Sequence, residues 1–398
     1  MRPLAITAAT ASSSLGLGLE AHRAALASGA SGLAPCRFET AALETFVGEI
    51  AGVDETSLPR ALAAFDCRNN RAAELGLAQD GFEDAVRAAI SRHGRERIGV
   101  FLGTSTAGIL QTELAYRRRD PCDGSLPRDF DYRRTHNTFS VAEYVRTRLA
   151  LEGPCAAIST ACSSSAKSFA SAARLLAAGA IDAAIVGGAD TLCLTTLYGF
   201  GSLDLLSRAP CRPYDAERDG ISIGEGAAFF LLERAAADDE RVALLGVGES
   251  SDAWHMSAPH PEGRGARMAM AEALRSASLL PEDIDYVNLH GTGTKANDAA
   301  EDLAVTALFG NRVPCNSTKG MTGHALGAAG ALEAVVALLC IREGFVPPGT
   351  GTRRVDPELR ARYELAGGPR PVAHVLSNSF GFGGSNCSLV FGRPEAAP

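Results

Sequence analysis

The 398 residues are 46% hydrophobic and 21% charged, the balance of a globular chain with one large or two medium domains. A net charge of −8 argues against nucleic acid as a partner, and no apolar run reaches membrane-spanning length without polar interruption. The ten cysteines show neither C-x-x-C nor metal-ligand spacing, so they read as reduced thiols and place the chain in the cytoplasm.

Residues 3–7 predict a buried strand. The apolar start, Leu4 to Leu19, raises the question of a signal peptide, but Thr7, Thr10 and Ser12 to Ser14 interrupt it. It reads instead as a strand and a loop. Residues 18–28 predict a helix with Leu19, His22, Ala25 and Leu26 on one face, and 84–93 predict another. Ile98 to Leu102 is a short buried strand that runs into the turn Gly103 to Gly108. Residues 115–136 are polar and arginine-rich. They read either as a solvated face or as a docking surface for an acidic partner.

Cys155 to Ser159 is a strand that enters Ser159-Thr160-Ala161-Cys162-Ser163-Ser164-Ser165. An apolar run with helical spacing follows, through Phe169, Ala173, Leu175 and Leu176. Cys162 is thus expected near a helix start, where unpaired N–H groups and the helix dipole favour a thiolate. Strand, tight turn and helix make a nucleophile-elbow form, though not the G-x-S-x-G type. The other nine cysteines read as buried structural thiols. Residues 183–188 and 227–233 predict strands. Between them, Arg212-Pro213-Tyr214-Asp215, Arg218-Asp219-Gly220 and Gly224-Glu225-Gly226 would alone read as a charged loop held by ion pairs.

Arg234 to Arg241 is the expected boundary between two halves, 1–240 and 241–398. The second half predicts strands at 242–248, 284–289, 372–377 and 387–391. Its helices are expected at 265–279, 298–308 and 325–343, the last rich in small residues. Strands alternate with helices in both halves, so the fold class is α/β with mainly buried sheets.

Two histidines lie in Gly/Thr turns of the second half. His290-Gly291-Thr292-Gly293-Thr294 follows an apolar strand, and Lys319-Gly320-Met321-Thr322-Gly323-His324 leads into the small-residue helix. Glu333 lies on that helix, where an ion pair with Lys319 could orient the site. The chain has three lysines, Lys167, Lys295 and Lys319, all in or beside these motifs. Asn378 to Asn386 is a glycine-rich loop that could present a backbone N–H to an oxyanion. A strand follows it, so it is not a dinucleotide fingerprint. A thiolate can hold an acyl group, and two neutral imidazoles can stabilise charge on a second thioester carbonyl. Together these groups suit acyl transfer with carbon–carbon bond formation.

The same motifs, in the same order, resemble the β-ketoacyl-acyl carrier protein synthases of the I/II type. These are elongating condensing enzymes of the thiolase superfamily. The match runs over residues 150–391 and is looser before 145, where residues 8–16 depart from the family's glycine-rich turn. The resemblance implies a duplicated five-layered α-β-α-β-α fold, a dimer and a ping-pong Claisen condensation. Cys162 would be acylated, with the N–H groups of Cys162 and Phe382 as oxyanion hole. His290 and His324 would assist decarboxylation of malonyl carrier protein, with Lys319 and Glu333 holding the site. Thr292 and Thr294 would bind the phosphopantetheine arm, and Phe380 and Phe382 would gate the pocket. Thr106 would line the far end of the acyl pocket. Arg68 and Arg71, or Arg117 to Arg119, would dock the acidic carrier protein. No metal or nucleotide cofactor is implied.

Cys162 and both histidines argue against a chain-length-factor subunit, the non-catalytic alternative that would only bind a carrier protein and an active partner. The paired histidines argue against the initiating type of synthase, and Cys387 reads as core rather than as a thiolase's second cysteine. Residues 159–212 look more like synthases of aryl polyene pathways than like the housekeeping enzymes; such synthases commonly pair with a chain-length-factor-like partner, so the dimer would be a homodimer or a heterodimer of that kind.

Overall fold

The computed structural model describes residues 1–236 and 238–394. Near-continuous apolar runs need cover on both faces, and five of them build the first sheet. These are β1 (Leu4–Ser13), β2 (Ile98–Gly103), β3 (Cys155–Ile158), β4 (Ala183–Asp190) and β5 (Gly226–Arg234). The order across the sheet is β1-β5-β4-β2-β3. The β1/β5 and β5/β4 pairs are antiparallel, and the β4/β2 and β2/β3 pairs are parallel.

The second half repeats this plan with β6 (Ala243–Ser251), β7 (Tyr286–Asn288), β8 (Pro314–Asn316), β9 (His374–Gly381) and β10 (Ser385–Gly392). Their order is β6-β10-β9-β7-β8, with antiparallel and parallel pairs in the same places. Ranked along the chain, each half reads first, fifth, fourth, second, third. The halves join where Leu4 and Ala5 of β1 pair with Leu244 and Ala243 of β6. Of the expected boundary stretch, Ala237 lies outside the described residues.

Helices fill the layers between and outside the sheets. Helices α1 (Arg68–Leu77), α2 (Phe82–His93) and α3 (Ser140–Arg148) cover the outer face of the first sheet, where Phe82, Val86, Tyr144 and Val145 meet Val100, Leu102 and Phe229. Helix α4 (Ser164–Ala177) lies on the inner face. Helices α5 (Arg264–Ala277) and α6 (Lys295–Phe309) cover the outer face of the second sheet. Helix α7 (Ala329–Glu343) shares the central layer with α4. It is buried from Ala329 to Ile341, which explains a sequence that is apolar all round rather than striped. The central core crosses between halves: the Phe169 ring of α4 meets Phe230 and Phe391 edge-on, at 5.2 and 6.0 Å.

Several elements differ from the sequence reading. Strand β1 continues through residues 8–13, where a loop was expected. Two of the three buried hydroxyls there are satisfied, because Thr10 donates to the Gly76 carbonyl and Ser13 bonds His22 Nε2, both at 2.8 Å, while Ser12 Oγ has no partner among the described residues. Polar side chains with built-in partners can therefore occupy a buried strand. Helices α1, α3 and Leu194–Ser202, and strand β8, carry too short or too polar a pattern to be predicted.

The two central helices touch at a glycine. A Cβ on Gly330 would lie 2.8 Å from Ser379 Oγ and 2.9 Å from Ala166 Cβ and N. Those contacts are closer than packed atoms allow, so Gly330→Val should push α7 off α4. Urea unfolding should show a loss of about 1–3 kcal/mol or more; unchanged stability would mean that the layer yields at no cost.

Candidate active site

Cys162 occupies the turn from β3 into α4. Ala161 before it has φ 53°, a left-handed conformation that costs a non-glycine residue roughly 1–2 kcal/mol. Neighbouring hydroxyls hold the turn in that shape. Thr160 N donates to Ser164 Oγ at 2.9 Å, Ser164 Oγ donates to the Ala161 carbonyl at 2.5 Å, and Ser163 Oγ donates to the Thr160 carbonyl at 2.9 Å. The serines thus act as clamps for the elbow as well as small neighbours of a substrate.

His290 stands two residues beyond the end of β7. Its backbone N–H and that of Gly291 donate to the two oxygens of Glu301, at 2.8 and 2.7 Å. Lys319 Nζ donates to the His290 carbonyl at 2.5 Å and forms an ion pair with Glu333. Both members of that pair are buried, and Ser379 Oγ donates to the second oxygen of Glu333 at 3.4 Å. His324 belongs to the second half, yet the first half grips its backbone. Its N–H donates to the Ser222 carbonyl (2.7 Å), and its carbonyl accepts from Gly224 N (2.9 Å).

This scaffold brings Cys162 Sγ and a nitrogen of each histidine within 4.8 Å of one another. The imidazole rings stand 5.3 Å apart at 82°. The Phe382 backbone N–H reaches the Cys162 sulfur. Cys162, His290, Thr292, Thr294, His324, Phe380 and Phe382 all line one cavity of about 80 Å³. The hydroxyls of Thr292 and Thr294 lie 2.9 Å apart on its wall. A larger, solvent-open groove of about 1030 Å³ lies between α4 and α5 and contains none of these groups.

Burial sets the protonation states. It holds both imidazoles well below the ordinary histidine value, helped by the positive charge of Lys319 and, for His290, by His324. The rings are therefore neutral. Burial also pushes the Cys162 thiol up to about 11, against the opposing pull of Lys319 and the Phe382 N–H. The position near a helix start does not by itself produce a thiolate in the free protein, because desolvation is the larger effect. The site thus holds a thiol, two neutral imidazoles and a nearby backbone N–H. The neighbouring carboxylate of Glu333 is occupied by Lys319.

Residues 1–237 match the family described as "Beta-ketoacyl synthase, N-terminal domain", and residues 242–353 match "Beta-ketoacyl synthase, C-terminal domain". The chain belongs to the β-ketoacyl synthase family. It is 36% identical over 343 residues to 3-oxoacyl-[acyl-carrier-protein] synthase 2 of Rhizobium meliloti, covering 81% of this chain and 79% of that one. It superposes with TM-score 0.89 and 39% identity on the ketosynthase ApeO, solved in complex with its chain length factor ApeC from Xenorhabdus doucetiae; the match covers 99% of this chain and 98% of that one. The ishigamide ketosynthase/chain length factor matches with TM-score 0.87 and 27% identity, over 99% of this chain and 100% of that one. The chain is a β-ketoacyl-acyl carrier protein synthase, an acyltransferase with the thiolase-like α/β fold in two halves. Among the described residues, no helix of the synthase is long and apolar enough to cross a membrane.

Two expected binding assignments do not fit the structure. Arg68 is 5% exposed, and its guanidinium is spent on Glu225 (2.5 and 3.0 Å) and Asp54 (2.6 Å). Buried charge must be paired, so Arg68 is an internal counter-ion and not a docking group. Arg71 differs from it: part-exposed, it pairs with the exposed Asp66 at 2.6 and 2.7 Å. Thr106 does not line the cavity. It is buried, and its hydroxyl donates to Asp190 Oδ1 at 2.9 Å.

Sequence reasoning missed three buried acids of the synthase. Glu301 holds the His290 turn, and burial pushes its carboxyl up to about 7. Asp298 accepts from Tyr214 N and Gly293 N, at 2.8 and 3.2 Å. Asp190 ties the 104–106 turn to Gly327 N, three residues beyond His324, at 2.6 Å. The available signal was acids at positions 298 and 301, one helical turn apart, just after a Gly/Thr turn.

Arg68→Ala would strand Glu225, which is fully buried. Chemical unfolding should show a loss of about 3–5 kcal/mol; a loss typical of a surface pair would return Arg68 to the docking role. The neutral histidines make a second prediction. In the unfolded chain they take protons as pH falls through their ordinary value of 6.5, while the folded chain does not. Stability is therefore full above that pH and falls below it, by up to about 1.4 kcal/mol per pH unit for each histidine. His290→Gln/His324→Gln should flatten the slope between about pH 6.5 and 5; an unchanged slope would show that the rings are protonated in the fold.

Proposed function

We propose that Cys162 accepts an acyl group from a carrier-protein thioester and that His290 and His324 carry the decarboxylative condensation with malonyl carrier protein. The observation that carries this reading is the convergence of sulfur and imidazole nitrogens within 4.8 Å in one cavity. The thiol proton passes to a neutral imidazole as the sulfur attacks, and it returns to the carrier-protein thiolate as the carrier's C–S bond breaks, which leaves the ring neutral again. The backbone N–H groups of Cys162 and Phe382 receive the charge that develops on the carbonyl oxygen. In the second half-reaction the two rings donate hydrogen bonds to the malonyl thioester oxygen as carbon dioxide leaves. The resulting enolate attacks the acyl group on Cys162, and the chain grows by two carbons. Lys319 and Glu333 position His290. Thr292 and Thr294 bind the pantetheine arm, and Phe380 and Phe382 form the gate.

The acyl group in this proposal is a polyene or aryl-primed chain. Support comes from residues 159–212 and from the likeness to a ketosynthase that was solved with its chain length factor. The partner is a chain-length-factor-like subunit. Strand β3, Cys-Ala-Ala-Ile, supports a subunit contact: it ends the first sheet, is only half-buried, and has no neighbour on its outer edge among the described residues. An apolar edge of that kind is a template for pairing with another chain. Of the arginines considered for carrier docking, Arg117 and Arg118 pair with Glu39 and Asp129, each at 3.0 Å. Arg119 remains exposed and without an ion-pair partner among the described residues.

Intact-protein mass after mixing with a panel of acyl carrier protein thioesters tests the assignment. An acyl adduct should form on the wild type and not on Cys162→Ala, and the best donor names the substrate class. Each single variant, His290→Ala or His324→Ala, should keep the adduct because the other ring remains as base, but lose condensation by about 10²–10⁴-fold. No adduct from any donor, with or without a partner subunit, would favour the non-catalytic reading.

A further inference from the structure

The donor set at the nucleophile has a second chemistry open to it. A thiolate and two imidazoles are zinc ligands, at about 2.3 Å for sulfur and 2.0–2.1 Å for nitrogen. Tetrahedral coordination at those lengths needs donors about 3.3–3.6 Å apart. Cys162, His290 and His324 hold theirs within 4.8 Å, so the groups need close by no more than roughly an ångström. No hydrogen bond resists that turn: His290 Nδ1 and both ring nitrogens of His324 are buried and have no partner among the described residues. We propose that Cys162, His290 and His324 form a reversible inhibitory site for Zn²⁺, with the fourth coordination position open to the cavity.

The chemistry balances without a redox step. The Cys162 sulfur loses its proton to solvent and forms the S–Zn bond, and each imidazole binds through a nitrogen lone pair. One proton leaves per metal. Lys319 is the nearby cation, and its charge is matched by Glu333. The site is built for reversible binding, because metal-ligating histidines ordinarily have a carboxylate or carbonyl behind the ring and His324 has neither. A sulfur bound to zinc cannot carry a thioester, so metal and acyl group exclude one another. Only this last consequence rests on the proposed catalytic role; the metal site itself rests on the donors.

The test uses the full chain, stripped of metal and titrated with zinc chloride, with cobalt chloride as a spectroscopic probe. One Zn²⁺ should bind, one proton should be released, and Co²⁺ should give a thiolate charge-transfer band. Zn²⁺ should shield Cys162 from iodoacetamide, and a chelator should restore alkylation. Cys162→Ser should abolish the band. His324→Ala should weaken binding by at least the roughly tenfold that follows loss of an outer partner, and His324→Gln serves where that variant does not fold. Zinc affinity unchanged in the Cys162 and His324 variants, or binding that leaves Cys162 open to alkylation, would overturn the proposal. Zinc binding with shielding, in a protein that no acyl donor modifies, would keep the metal site and sink the catalytic reading.

Discussion

The buried ammonium of Lys319 is the interaction on which the site depends. It leaves water to donate to the His290 carbonyl and to pair with Glu333. Taking two charges out of water costs several kcal/mol per ion unless geometry and further bonds offset it. Those bonds tie the end of β7, the turn after β8, helix α7 and, through Ser379, strand β9. One cation thereby locks four elements of the second half around the two site histidines. It also sorts the protonation states. For the histidines, burial and Lys319 act in the same direction, so both rings are neutral. For Cys162 they act in opposition, so the thiol rises less than burial alone would drive it.

The site is a seam between the halves. Cys162 comes from the first half and His290 from the second. His324 sits in the second, but its backbone is bonded on both sides to Ser222 and Gly224 of the first. Asp190 adds another crossing bond, from the first sheet to Gly327 N. Relative motion of the halves would therefore break these bonds and pull His290 away from Cys162. The shared core of α4 and α7, with Phe169 wedged against Phe230 and Phe391, prevents it. Geometry at the nucleophile is thus bought by packing far from it.

The residues of the candidate site were legible in the sequence because they sit in turns whose residue types are unusual. Cys162 among serines and alanine, and two histidines in Gly/Thr turns, stand out against helices and strands. The main strands and the central helix were legible for a related reason: unbroken apolar runs leave few alternatives. Strand order was not, since pairing Leu4 with Leu244 or Ser379 with Cys387 depends on contacts that no local pattern encodes. Arg68 shows the same limit. An arginine in a helix reads as a surface charge until Glu225, far along the chain, is found against it. Thr106 was read by position, whereas its side chain direction is set by Asp190.

In the proposed mechanism the two half-reactions place opposed demands on one pocket, and the neutral imidazoles reconcile them. A thiol near 11 is almost wholly protonated at neutral pH, so acyl transfer needs a base within reach of the sulfur. A protonated histidine could not serve. Condensation then needs donors to a thioester oxygen, but no acid strong enough to quench the carbanion. A neutral imidazole meets both needs, accepting a proton through one nitrogen in the first step and donating from a nitrogen in the second. Burial that a free thiolate would oppose is therefore useful here: it withholds protons from the rings and keeps the sulfur as a thiol until a substrate and a base are both present. The same absence of ring partners that leaves His324 free to take either role also leaves its nitrogens open to a metal.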